Sequence, residues 1–294
     1  MTAAYSAANH GPANHGPTSA GPASRPVAYA LTDTSVMIAR SLRRSVRDPE
    51  AFITALALPV ILMLLFVYVF GGVFSAGVDA GTGTGMAGGY ANYVVPGLIV
   101  LCAAYGAGTT AVAVATDMST GIVDRFRSMP IAAGTVLVGQ IAASVARNLL
   151  ATALVIGAGL AVGWRPTGGP LDWAAAAGLI VLFIAALSWV AACFGLAVGS
   201  PEAANGASFI LMFIPYLSSA FVPAGTMTRV LRPVAANQPF TPLIEAMRGL
   251  WMGRTSTGAA VGHEALLAVA YFGAVLVLAA ALASWLFRHR TAVR

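Results

Sequence analysis

The sequence contains no lysine, only two cysteines and few charges of any kind: 9% of its 294 residues are Asp, Glu or Arg. A soluble domain carries about a quarter charged residues, so this chain cannot cover a water-facing surface. Its residues are 58% hydrophobic, which leaves the membrane class. Cys102 and Cys193 both lie inside apolar runs, without the spacing of a disulfide framework or a metal-binding pair, and each reads as a small buried hydrophobe. The net charge of +6 rests on arginines at the edges of apolar runs. Scattered in this way they suit a cytoplasmic membrane face better than a nucleic acid, which demands a gathered patch.

Catalytic signatures are missing as well. There is no HExxH, no GxSxG, no aspartate-rich diphosphate motif and no phosphate loop of the GxxxxGK[ST] type. His263 and Glu264 are adjacent, but neighbouring side chains on a helix diverge. A lipid-modifying membrane enzyme would need them to face a cleft with other polar groups. No acid lies in the middle of an apolar run, so an ion- or proton-coupled carrier lacks its usual handle. If this chain moves something across a membrane, another subunit must supply the energy.

What is present is a series of six apolar runs, at about 51–72, 94–116, 136–162, 175–198, 206–224 and 265–287. Each is near the roughly 20 residues that a bilayer core requires. The expected architecture is an all-α polytopic membrane protein with six transmembrane helices occupying 51–290. The third run is interrupted by Gln140 and Arg147. Arg147 therefore reads either as a snorkelling residue near the cytosolic interface or as a charge in a transport path.

Ahead of the first run, residues 1–27 are Ala, Gly, Pro, Asn and Ser with a tandem "ANHGP", the composition of a disordered cytosolic tail. Residues 28–50 then form a basic amphipathic pattern. Thr32, Asp33 or Thr34 can cap a helix, Val36, Ile38, Leu42 and Val46 supply an apolar stripe, and Arg40, Arg43, Arg44 and Arg47 occupy the other face. A helix lying along the membrane surface follows, ended by Pro49. Arginine bias in the short flanks places both termini in the cytoplasm of a multi-pass protein of the cell membrane. The loop from 225 to 264 resists that rule, since it carries Arg229, Arg232, Arg248 and Arg254 yet must lie outside. Within it, "NQPFTPLIEAMRGLWMG" (237–253) has the pattern of a short re-entrant or interfacial helix between the last two spans.

One decapeptide stands out against this background. "GIVDRFRSMP" (121–130) sets Asp124, Arg125 and Arg127 within four positions, with Phe126 and Met129 three apart on one helical face. On the cytosolic side, such a turn can dock an apolar residue into a partner while flanking charges fix register. As a bare pattern it is equally an ordinary membrane-surface loop.

The longer stretch "TDMSTGIVDRFRSMPIAAGTVLVGQ" (116–140) resembles the first cytosolic loop of type-2 ABC exporter permeases, and its branch looks like the daunorubicin-resistance permease group of actinobacteria. "SPEAANGASFILMFIPYLSSAFVP" (200–223) and "NQPFTPLIEAMRGLWMG" agree in order and spacing, and the likeness extends over roughly residues 30–290. The resemblance implies a dimer of six-span permeases, each engaging a separate cytosolic ATP-binding subunit. ATP and magnesium would be held by that partner, with no cofactor or catalytic residue on this chain. It further implies a coupling helix at Asp124, Arg125, Phe126, Arg127 and Met129, with Phe126 favoured as anchor and Arg127 as its charged partner. A connecting helix at Arg40, Arg43, Arg44 and Arg47 would join the same contact, and an outer gate region would contain Phe240, Glu245, Arg248 and Trp251. The expected cargo is a hydrophobic or amphipathic drug, antibiotic or lipid. The "ANHGP" tail has no counterpart in the family pattern. A lipid-modifying enzyme or a non-transporting scaffold on the same fold remains the alternative.

Overall fold

The computed structural model describes residues 49–73, 89–120, 133–198, 200–253 and 255–292. The expected tail, surface helix and coupling loop fall outside these residues. All regular structure described is helical. The elements are α1 (Pro49–Leu64), α2 (Gly89–Ser119), α3 (Ala133–Val162), α4 (Pro170–Ala197), α5 (Pro201–Phe213), α6 (Leu231–Asn237), α7 (Phe240–Met252) and α8 (Val261–Ala292). Among the described residues, four segments are long and apolar enough to cross a bilayer: α2, the Leu137–Val162 part of α3, α4, and the Val261–Phe287 part of α8. The shorter apolar stretch Ala57–Val69 begins in α1 and continues through a wide π-type turn, closed where Phe70 N–H donates to the Leu65 carbonyl at 3.1 Å.

Helix boundaries follow local chemistry. Pro170 opens α4 at a position where a missing N–H costs nothing, and Asp172 accepts from the Gly169 N–H at 2.8 Å. Ser200 caps α5 by accepting from Ala203 N–H, again with proline next in line. The fifth apolar run, expected as a span over 206–224, is entered earlier, at Pro201, and is α-helical only to Phe213. A 3-10 turn, Ile214–Leu217, extends it, and the chain then leaves helical geometry at Ser218. Pro215 and Pro223 remove backbone donors on either side of this break. The following loop supplies two short helices, α6 and α7, in the stretch where short helices are expected between the last two spans, and α7 covers the segment whose pattern is helical. Gly253 ends α7 in the left-handed conformation, φ 73°, that glycine adopts without steric penalty.

Two helices form the centre. Most residues in the most apolar stretches of α2 and α4 are buried, against a minority in those of α3 and α8, so the latter two are the more exposed of the four. The α2–α4 contact is close because small residues line it, in the manner of membrane helices that lack a hydrophobic driving force for association. Both cysteines are buried, and Cys193 Sγ donates to the Ala279 carbonyl at 3.2 Å. An aromatic chain joins the end of α5 to the π-type turn after α1: Phe209, Phe213, Tyr216, Phe221, Phe66 and Phe70 follow one another at centroid distances of 4.3–6.4 Å.

The break after α5 is seated directly on α2. A side-chain carbon added at Gly97 would lie 2.8 Å from the backbone and Cβ of Ala220. Because backbone cannot swing aside as a side chain can, Gly97→Ala is expected to destabilise the chain by about 1–3 kcal/mol, the usual range for overpacking. Thermal unfolding in detergent checks it. The same change at Gly178, which has nothing within 4 Å, is expected to leave the midpoint in place.

Candidate functional site: a buried ion pair clasping four segments

Helix α7 begins after Pro239 and carries Phe240, Ile244, Met247 and Trp251 at helical spacing, so its apolar stripe draws it against α4 and α8. Its other face carries Glu245 and Arg248, three residues apart and therefore neighbours on the helix surface. Both are fully buried, and Arg248 Nη1 donates to Glu245 Oε1 at 2.6 Å. Two opposite charges inside a hydrocarbon-facing bundle need their remaining donors and lone pairs satisfied, and here each is.

Arg248 donates from Nε and Nη2 to the Tyr93 carbonyl, at 3.2 and 3.0 Å, and from Nη2 to the Ser219 carbonyl at 3.2 Å. Its Nη1 also reaches Ser256 Oγ at 3.3 Å. The guanidinium carbon sits 3.7 Å from the centroid of the Tyr93 ring, so a cation–π contact covers one of its faces. Glu245 accepts from Ser219 Oγ at 2.9 Å, from the Ser256 hydroxyl, and from the Ser256 N–H at 2.6 Å. Tyr93 closes the ring by donating its own hydroxyl to the Ser219 carbonyl at 2.8 Å. Thr241 accepts from the Ser219 N–H, and Tyr90 donates to the Phe221 carbonyl at 3.0 Å.

The pair thus ties together α2, the non-helical segment after α5, α7 and the turn ahead of α8. Ser218–Phe221 leaves helical geometry in a buried position, where unmet carbonyls and N–H groups are costly. Tyr90, Tyr93, Thr241 and Arg248 supply the missing partners. Chemically the site is a clasp: its charges are spent on holding backbone.

The four residues expected in the outer gate region are brought to one helix, but they serve three separate contacts. Glu245 and Arg248 form the clasp. Phe240 packs edge-to-face with Phe183 of α4 and Phe272 of α8, at 5.7 and 5.8 Å. Trp251 meets Trp164 and Trp173 at 5.0 and 5.4 Å, while its carbonyl accepts from the Thr167 and Gly168 N–H groups. All four are buried, so none lines an open surface.

Sequence reasoning missed Tyr93, Ser219 and Ser256. The available signal was a serine pair, Ser218–Ser219, inside an apolar run, together with a tyrosine entering the second run. Burial of Arg248 also removes one charge from the basic loop that resisted the orientation rule. Glu264, set beside His263 in the sequence, accepts from Thr257 Oγ1 at 3.2 Å.

At the opposite end of the bundle, α2, α3, α4 and α8 converge on a shallow depression lined by Val114, Asp117, Met118, Leu137, Gln140, Leu196 and Phe287. The coupling residues Asp124, Arg125, Phe126, Arg127 and Met129 belong to the connection between α2 and α3 and lie outside the described residues, as do Arg40, Arg43, Arg44 and Arg47.

The ABC-2 type transporter family matches residues 32–252. The daunorubicin resistance ABC transporter permease protein DrrB1 of Streptomyces coeruleorubidus is 28% identical over 227 residues, 77% of this chain and 77% of the relative. The probable doxorubicin resistance ABC transporter permease protein DrrC of Mycobacterium tuberculosis is 26% identical over 226 residues, 76% and 78% of the two chains. No solved structure matches.

Proposed function

Because the chain belongs to the ABC-2 type transporter family, we propose that it is the membrane permease of an ATP-driven exporter for hydrophobic or amphipathic compounds. One observation carries the reading: the family match runs unbroken from the basic amphipathic segment through the α2–α3 connection to the clasp helix α7. Nucleotide chemistry belongs to a separate cytosolic subunit, since this sequence holds no phosphate loop. The relatives are named for daunorubicin and doxorubicin resistance, which supports a bulky amphipathic drug or a lipid as cargo.

In this reading the protein is a six-span permease with both termini cytoplasmic, working beside a second permease copy. The α1 segment and α5 supply the two spans beyond the four long helices. Asp124, Arg125, Phe126, Arg127 and Met129 meet the ATP-binding subunit, supported by Arg40, Arg43, Arg44 and Arg47. The clasp lies at the outer end and keeps α7 seated over the broken span. ATP binding shifts the permease between access states only so far as the partner binds those states differently.

Inside-out vesicles containing the chain and its ATP-binding partner should accumulate a fluorescent amphipathic compound when ATP is added. Vesicles carrying a partner with a mutated phosphate-loop lysine should not. ATP hydrolysis without accumulation of any compound in a chemically broad panel would overturn the export reading in favour of a scaffold.

A further inference from the structure

We propose that α6 and the turn before it form an interfacial foot on the outer leaflet. Val230, Leu231 and Val234 dip among the lipids, while Arg229 and Arg232 hold the phosphates of acidic phospholipids. The segment is small, but its two faces are distinct. The Thr228 carbonyl starts the helical turn by accepting from the Leu231 and Arg232 N–H groups at 3.1 and 3.0 Å. Val230 and Val234, four apart, therefore share a face, with Leu231 three before Val234 at its edge. Arg229 and Arg232, three apart, share another.

The aliphatic face is open. Val230 is 79% exposed, Val234 50% and Leu231 46%. Ala235 is the buried residue of α6, and its carbonyl accepts from the Thr241 hydroxyl at 2.5 Å. Because Thr241 also accepts from the Ser219 N–H, α6 is tethered to the clasp. The helix packs beside Ile214–Leu217, the turn that prolongs the fifth apolar run. Phe213 and Leu217 are themselves exposed. The foot thus sits where an outward-facing apolar surface ends, the level at which a short amphipathic helix meets headgroups.

Charge selects the partner. From Ala203 to Ile244 the chain carries no acidic residue. Arg229 and Arg232 are exposed, and neither guanidinium meets an acceptor among the described residues. Paired guanidinium donors match phosphate oxygens, and the aliphatic face beside them favours a phosphate that carries acyl chains. A second copy is a poorer occupant, since a two-fold contact through this patch would set arginines against arginines. Valine and leucine are also under-represented among the residues that dominate protein interfaces. The foot gives a use to two of the arginines that resist the orientation rule. Its assignment to the outer leaflet rests on the topology proposed above, whereas its contact with lipid does not.

Spin labels on Val230→Cys and Val234→Cys read that contact in the full-length chain, reconstituted in phosphatidylcholine liposomes with or without phosphatidylglycerol. Cys102 and Cys193 are buried, so labelling is directed to the introduced thiol. Both labels are expected to collide more with oxygen, which partitions into lipid, than with a neutral water-soluble nickel chelate. Phosphatidylglycerol should raise the oxygen-to-nickel ratio by about twofold or more, and Arg229→Gln with Arg232→Gln should abolish the rise. Collisions that favour the nickel chelate overturn the foot. Exclusion of both reagents together with coupling between labels overturns it in favour of a second copy. A ratio that phosphatidylglycerol leaves unmoved, or moves equally in the double variant, overturns the assignment to acidic lipid. Depth is read whichever way the chain faces, so a failure of transport or a reversed topology leaves these readings standing. Should the variants not fold, photoactivatable phosphatidylglycerol on wild type decides: label on residues 227–237 supports the foot, and label confined elsewhere overturns it.

Discussion

Arg248→Ala is expected to lower the stability of this protein by about 3–5 kcal/mol, the cost of leaving one member of a buried ion pair without the other. The geometry argues for the full effect. Glu245 would keep its hydrogen bonds from Ser219 and Ser256, but its charge would have no counterion in a site closed to water. The Tyr93 carbonyl would lose both guanidinium donors at the same time, and the Ser219 carbonyl would keep only the Tyr93 hydroxyl. Each buried hydrogen bond lost in this way adds to the cost.

A second variant separates charge from shape. Glu245→Gln with Arg248→Met removes both charges and keeps approximate volume, and such replacements of a buried pair are often neutral or better. The double variant should therefore unfold at a higher temperature than Arg248→Ala. It should stop short of wild type, because methionine offers nothing to the two carbonyls. Thermal unfolding in one detergent, followed by tryptophan fluorescence from the Trp164–Trp173–Trp251 cluster, orders the three proteins. Arg248→Ala melting with wild type would show that the pair does not hold the clasp closed.

The long helices were legible because their cause is local. An apolar run of bilayer length has one inexpensive solution in lipid, a helix that satisfies its own backbone. The runs at 94–116, 136–162 and 265–287 accordingly sit inside α2, α3 and α8, and 175–198 overruns α4 by one residue. The run at 206–224 was harder, because hydropathy averages over a window and is blind to where the backbone breaks. That break depends on Tyr90, Tyr93 and Arg248, all distant in sequence, supplying hydrogen bonds to residues 218–221. Glu245 and Arg248 were legible as unusual charges on a greasy amphipathic helix. That they face each other inward, and that Ser256 completes them, is a tertiary fact with no periodic signature. Arg147 shows the same limit: its position in α3 was plain from the sequence, but its place between buried and outward faces depends on how Asn148 and Ser144 pin the helix.

The second large effect is expected at the other end. Under the function proposed above, work enters through contact with an ATP-binding subunit, and the charge pattern of the α2–α3 connection makes it the segment to test. Phe126 is the apolar residue flanked by charges, which is the composition of an interface anchor: aromatic and arginine side chains dominate such contacts, at about 2 kcal/mol or more each on truncation. Phe126→Ala with Arg127→Ala is therefore expected to weaken association with the ATP-binding subunit by about 100- to 1,000-fold, corresponding to about 3–4 kcal/mol. Arg127→Lys should retain more association than Arg127→Ala if the contribution is charge, and no more if it is a bidentate contact. Because α2 and α3 are held together by the Asn148–Ala103 and Ser144–Thr110 bonds, well inside the bundle, the double variant should insert and melt as wild type does. Co-purification of the two subunits from solubilised membranes reads the association, and thermal unfolding reads the fold. A double variant that still retains its partner at wild-type yield would remove Phe126 and Arg127 from the coupling contact, leaving Arg125, Met129 and the basic segment at Arg40–Arg47 to carry it.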